Sequence, residues 1–169
     1  MAKTRVFAVT HGEKFPEKPN PGMTEKGFDQ VRALAKFLPG RVREVICATG
    51  RRHINVAEAL NLRPTRFTAV LGGPDSLEVF GQAKMIVLAD GMALNPKLYT
   101  TLEDMAPAAK ALIASLPDSS VLCVGRPTLI MIGHKDAKSG AVYRITCENG
   151  DIVGIDEVIA EGESEAGTV

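Results

Sequence analysis

The stretch Val6-Phe7-Ala8-Val9-Thr10-His11-Gly12-Glu13 decides how this chain is read. Its first four residues are an unbroken, partly β-branched apolar run, the pattern of a buried strand. The run stops on His11 and Gly12. In open α/β sheets, ligands bind outside the carboxyl ends of the strands, so His11 stands where a chemical group is put to use. Gly12 permits a sharp turn or a close approach of the backbone to a ligand. Taken alone, a loop histidine with no task reads equally well.

Working outward, strands alternate with helices. Phe15 to Gly22 is a loop by its prolines and glycine, and Thr24 is placed to cap a helix. Phe28, Val31, Leu34, Ala35 and Leu38 recur at helical spacing until Pro39-Gly40. Val45 to Ala48 reads as a second buried strand and Arg51 to Leu60 as a helix, with Ile54, Ala57 and Leu60 on one face. Phe67 to Leu71 and Met85 to Ala89 read as further strands, and Met105 to Leu116 as a helix. Val121 to Val124 is another buried strand, leading through Gly125-Arg126-Pro127 into an apolar run that ends at Ile132. Ala141 to Cys147 and Ile152 to Val158 alternate around Asn149-Gly150, a hairpin pattern. The expected fold is a three-layer α/β/α sandwich with a mostly parallel central sheet and an antiparallel C-terminal hairpin. A single domain over residues 1–160 is expected, followed by an acidic, small-residue tail over 161–169 that reads as disordered.

Composition bounds the function. The chain has 169 residues, 45% hydrophobic and 24% charged, with zero formal net charge. That balance gives no electrostatic support to a nucleic-acid or membrane-surface partner. No apolar run approaches a membrane span and no signal peptide is read at the start, so a cytoplasmic location is expected. Cys47, Cys123 and Cys147 are odd in number and lie in strand-like surroundings, which favours buried reduced thiols over a disulfide. Dinucleotide and P-loop glycine patterns are absent, as is a His-Glu-x-x-His metal motif, so neither a cofactor nor a metal is expected.

Three strands end in residues suited to an anion. The first ends at His11, the second at Thr49-Gly50-Arg51-Arg52 and another at Gly125-Arg126. If these strands are parallel neighbours, an imidazole, guanidinium groups and two helix N-termini meet at one sheet edge. Arginine suits phosphate because its planar fork donates in pairs and stays charged. Arg51 and Arg52 also oppose the macrodipole of the helix they open, which a bound anion would offset.

These segments resemble the histidine phosphatase superfamily, also called phosphoglycerate mutase-like. His11-Gly12-Glu13 after its strand is similar to the family's Arg-His-Gly opening. Gly22 to Gly27, running on to Gln30, resembles its Leu-Thr-x-x-Gly helix start. Cys47 to Leu60 resembles its Ser-x-x-x-x-Arg segment, and Ala57-Glu58-Ala59-Leu60 matches the family's ending apart from Val56. The short length is similar to the compact phosphohistidine-phosphatase branch. The resemblance implies that His11 is the nucleophile that becomes phosphohistidine, with Thr10, Gly12, Arg52 and Arg126 around the phosphate. The implied ligand is a phosphorylated small molecule or phosphoprotein, and the implied activity is hydrolysis of a phosphomonoester or phosphohistidine.

Two positions depart from that pattern. Thr10 stands where the family has arginine, and Arg126 where it has a second histidine. Losing a charged transition-state donor costs on the order of 10²–10³ in rate, so a catalytically inactive phospho-ligand-binding or structural protein on the same fold is the alternative. Glu13, Asp75, Glu78 and Asp90 are proton-donor candidates on residue type only. His53 is read as a surface residue by its polar neighbours, and His134 as part of a solvated turn.

Overall fold

The computed structural model describes residues 3–16, 21–71, 86–87, 93–94 and 102–159. Strands β1 (Thr4–Thr10), β2 (Val45–Cys47), β3 (Arg66–Phe67), β6 (Ser120–Val124), β7 (Val142–Glu148) and β8 (Asp151–Val158) form one sheet in the order β3-β2-β6-β1-β7-β8. The first three pairings are parallel; β1 with β7 and β7 with β8 are antiparallel. Short strands β4 (Ile86–Val87) and β5 (Ala93–Leu94) pair with each other in a separate two-stranded sheet.

Side chains alternate across the sheet, and each set builds its own core. Val9, Cys47, Val121 and Cys123 pack with Val31 of α1 (Glu25–Arg32) and with Val56, Ala57 and Ala59 of α2 (Arg51–Ala59). Val6, Ala8, Ile46, Leu122 and Val124 face the other way. They meet Met105, Ala109 and Ile113 of α3 (Leu102–Ala114) and Leu129 and Met131 of α4 (Arg126–Met131). Helices therefore cover both faces, and the architecture is the α/β sandwich expected from strand–helix alternation.

The hairpin is closed by Asn149 and Gly150, both at positive φ (53° and 81°). A two-residue turn of that kind matches the twist of the strands it joins, which explains the Glu148↔Asp151 pairing. The three cysteines are free and buried, with Cys47 opposite Cys123 on β2 and β6.

Three elements differ from the sequence reading. The helix begun at Thr24 ends at Arg32 instead of reaching Leu38, and a 3₁₀ turn follows at Ala35–Phe37 with no buried residue. Leu34, Phe37 and Leu38 still pack on the core, half-buried, but from the 3₁₀ turn and the extended residue that follows it. After Arg66–Phe67 the expected strand becomes a 3₁₀ turn at Ala69–Leu71. There the Val70 amide donates to the Thr68 hydroxyl, a local bond that competes with the edge ladder. Ile86–Val87 is a strand, but its partner is β5 and not the main sheet. The expected tail at 161–169 lies outside the described residues.

Candidate functional site

Strands β1, β6 and β2 are adjacent and parallel, so their carboxyl ends share one edge. This brings His11, the Gly50 cap of α2 and the Gly125 cap of α4 together. The convergence expected from three separate segments is thus present.

His11 is held from both sides. The loop at 138–141 is strapped over the end of β1: the Thr10 amide donates to the Ala141 carbonyl, and the Gly140 amide donates to the His11 carbonyl at 2.8 Å. On the other side, the Gly12 and Gly27 backbones come into direct contact. A Cβ at Gly12 would lie 2.5 Å from the Gly27 carbonyl oxygen, and one at Gly27 would overlap the Glu13 carbonyl. The Thr24 hydroxyl caps α1 by accepting from the Gly27 amide, while the Glu13 amide donates to Gln30 Oε1. The Met23 amide donates to Asn55 Oδ1, which ties this loop to α2.

The imidazole of His11 is 8% exposed, and its Nδ1 lies 2.9 Å from the Gly12 carbonyl oxygen. A carbonyl only accepts, so that contact assigns the ring proton to Nδ1 and leaves the lone pair on Nε2. Burial lowers the His11 pKa to about 4; the Arg52, Lys14 and Arg126 cations act in the same direction, against the hydrogen bond to Gly12. The ring is therefore neutral at physiological pH, with an unprotonated nitrogen among cations. That is the state a nitrogen nucleophile requires.

Arg52 is 6% exposed and sits in the first turn of α2, charged beside His11. Arg126 is exposed, at the first position of α4, and still acts on His11. Lys14, which local sequence did not single out, acts on His11 more strongly than Arg126 does. Its only sequence cue is its distance of three residues from the histidine.

Two expected phosphate ligands have other tasks. The Thr10 hydroxyl donates to the Lys138 carbonyl at 2.7 Å and accepts from the Ala141 amide at 2.9 Å. Its single proton is spent on the loop, so Thr10 anchors and does not donate into the pocket. The Gly12 amide points at the Met23 sulfur, 3.2 Å away, so Gly12 serves close packing. Among the acids, Glu13 is exposed and accepts from the Thr24 hydroxyl; Asp75, Glu78 and Asp90 lie outside the described residues.

His53 is the largest correction. It is 1% exposed, and its ring centroid is 5.7 Å from that of His11. Burial holds it neutral, with Arg52 and His11 adding to the effect. Its polar neighbours suggested a surface position because sequence spacing does not reveal that the start of α2 faces the end of β1. His134 is half-buried against the Tyr143 ring, with centroids 4.9 Å apart. Among the described residues, no three His, Cys, Asp or Glu side chains gather as a metal would need. No helix among them is long and apolar enough to cross a membrane.

No family model and no curated protein matches the chain. Solved structures do share its fold. TTHB049 from Thermus thermophilus aligns with a TM-score of 0.60 at 15% identity, over 90% of this chain and 98% of that one. The Rv3214 protein of Mycobacterium tuberculosis aligns with a TM-score of 0.56 at 18% identity, over 89% and 94%. A protein named mycobacterial hydrolase 1 aligns with a TM-score of 0.61 at 14% identity, over 95% and 99%. At these identities the likeness is one of fold, and it spans nearly the whole of each chain.

Proposed function

We propose that this chain is a divergent histidine-phosphatase-like protein that binds a phosphate group and accepts the phosphoryl group on His11 Nε2. One observation carries the reading: a buried, neutral imidazole whose Nδ1 is tied to the Gly12 carbonyl, which leaves the Nε2 lone pair free, and on which the Arg52 cation acts. The resemblance of the His11-Gly12-Glu13 and Cys47 to Leu60 segments to that superfamily supports the same chemistry, as does the name hydrolase borne by one structural neighbour.

In this reading, the Nε2 lone pair attacks phosphorus as the bond to the leaving oxygen (or to the leaving nitrogen of a phosphohistidine) breaks; the leaving atom takes a proton from solvent, giving phospho-His11. Water then attacks phosphorus and releases a proton to solvent, the P–N bond breaks and the electron pair returns to Nε2. Dividing the transfer into two steps is covalent catalysis. Arg52, with Lys14 and Arg126 at longer range, offsets charge on the phosphoryl oxygens. A phosphorylated small molecule or a phosphoprotein supplies the group.

A second reading keeps the pocket without turnover. It is favoured by Thr10, which adds no charge and has spent its proton on Lys138. Incubation with para-nitrophenyl phosphate or a phosphohistidine peptide, followed by an assay for acid-labile phosphohistidine, separates the two. Label at His11 that is lost in His11→Ala supports transfer. Phosphate-induced thermal stabilisation without label supports binding alone. Neither label nor stabilisation removes both.

A further inference from the structure

His53 has no place in the reading above, yet it is buried against the reacting imidazole. We propose that His53 is a second imidazole ligand of the phosphoryl group, donating a hydrogen bond to one of its oxygens while the group sits on His11 Nε2. This rests on the proposed transfer to His11.

Three observations carry it. The two rings face each other at 5.7 Å between centroids, inclined by 48°. Their Nε2 atoms converge on one point: a Cβ built at Gly125 would lie 3.2 Å from His53 Nε2 and 3.4 Å from His11 Nε2. Residue 125 has no side chain, so no Cβ from that position fills the space beside the two nitrogens. Finally, His53 Nδ1 is buried with no hydrogen-bond partner. With nothing bonded to it, that nitrogen does not fix the tautomer of the ring. With no bond fixing Nδ1 as the donor, the proton of the neutral ring is available at Nε2, the nitrogen that faces His11.

The placement also answers a chemical need. An oxygen on phospho-His11 requires donors within hydrogen-bond reach, and Thr10 has none left to give. Arg52 approaches from the first turn of α2, and His53 is the next residue on that helix. Arg126 is at the exposed edge. His53 thus supplies a close neutral donor where the surrounding groups supply charge.

The chain has three histidines, so the His53 ring can be assigned in the intact protein by elimination, using His11→Ala and His134→Gln. Histidine side chains labelled with ¹⁵N are followed during titration with orthovanadate and with inorganic phosphate. The expected result is that the His11 and His53 nitrogens shift together and saturate at one concentration. Shifts confined to His11 overturn the role of His53 and leave the His11 reading standing; no shift in either ring overturns both. Rates of phospho-His11 formation from phosphoramidate give the second measure. His53→Leu, which keeps the buried apolar volume, is expected to form label more slowly by a factor on the order of 10²–10³. His53→Gln, whose amide can reach the same oxygen, is expected to recover most of that rate. Equal rates in the parent and the folded Leu variant overturn the proposal.

Discussion

Gly12 and Gly27 meet backbone to backbone, so closely that a methyl group on either would strike the other's loop. The contact joins the end of β1 to the first turn of α1 and sets where the His11 ring stands. Gly27→Ala is expected to destabilise the chain by about 1–3 kcal/mol, since overpacking against backbone cannot be relieved by a rotamer change. It is also expected to weaken phosphate-dependent stabilisation, because His11 and Gly12 must move. Urea denaturation with and without phosphate checks both; an unchanged midpoint would show that the loop yields freely.

Thr10 is expected to act on stability before it acts on chemistry. Thr10→Val removes the partner of the buried Ala141 amide and of the Lys138 carbonyl. Leaving such groups unpaired costs about 1–3 kcal/mol. Thr10→Ser keeps the hydroxyl and should lose far less. Equal stability of the Val and Ser variants would dismiss the anchoring role.

Arg52 is expected to carry most of the response to phosphate. Sulfate or phosphate should raise the melting temperature of the parent, and Arg52→Ala should cancel that rise. The same variant removes a cation that lowers the pKa of both His11 and His53, so both imidazoles should titrate at higher pH. Histidine NMR titration measures the second effect independently of any ligand. A phosphate response that persists in Arg52→Ala would place the anion elsewhere.

The pH dependence has a definite sign. His11 is lowered from 6.5 to about 4 in the folded state, so between those values the unfolded chain binds more protons. Stability is therefore full above pH 6.5 and is lost as pH falls towards 4, by about 3 kcal/mol for this group. His53 is shifted in the same direction and adds to the loss. In His11→Gln the acid limb of a stability-versus-pH curve should be shallower. A curve identical to the parent's would mean that His11 is not held neutral.

Much of the fold could be read from local pattern. Val6 to Val9, Val45 to Cys47 and Val121 to Val124 are continuous apolar runs because each strand is covered on both faces. Asn149-Gly150 states its own turn, since few other pairs adopt positive φ at both positions. His11, Arg52 and Arg126 could be singled out because each follows a strand end. Local pattern failed where apolar spacing outlasted the helix and where a neighbouring hydroxyl competed with the ladder. Helix α1 stops at Arg32 although Leu34, Phe37 and Leu38 still pack on the core, and the Thr68 hydroxyl turns the chain out of β3.

Sequence alone determined the strands that form the centre of the sheet, the terminal hairpin and which chemical groups stand at the strand ends, because periodicity and chain breakers act over a few residues. Tertiary structure alone decided what those groups do. The Thr10 hydroxyl is spent on Lys138, across 128 residues of chain, and the His53 ring is turned inward against His11. Both outcomes depend on which strands are neighbours. That order is set by packing summed over the whole sheet, and it is written in no single stretch of the chain.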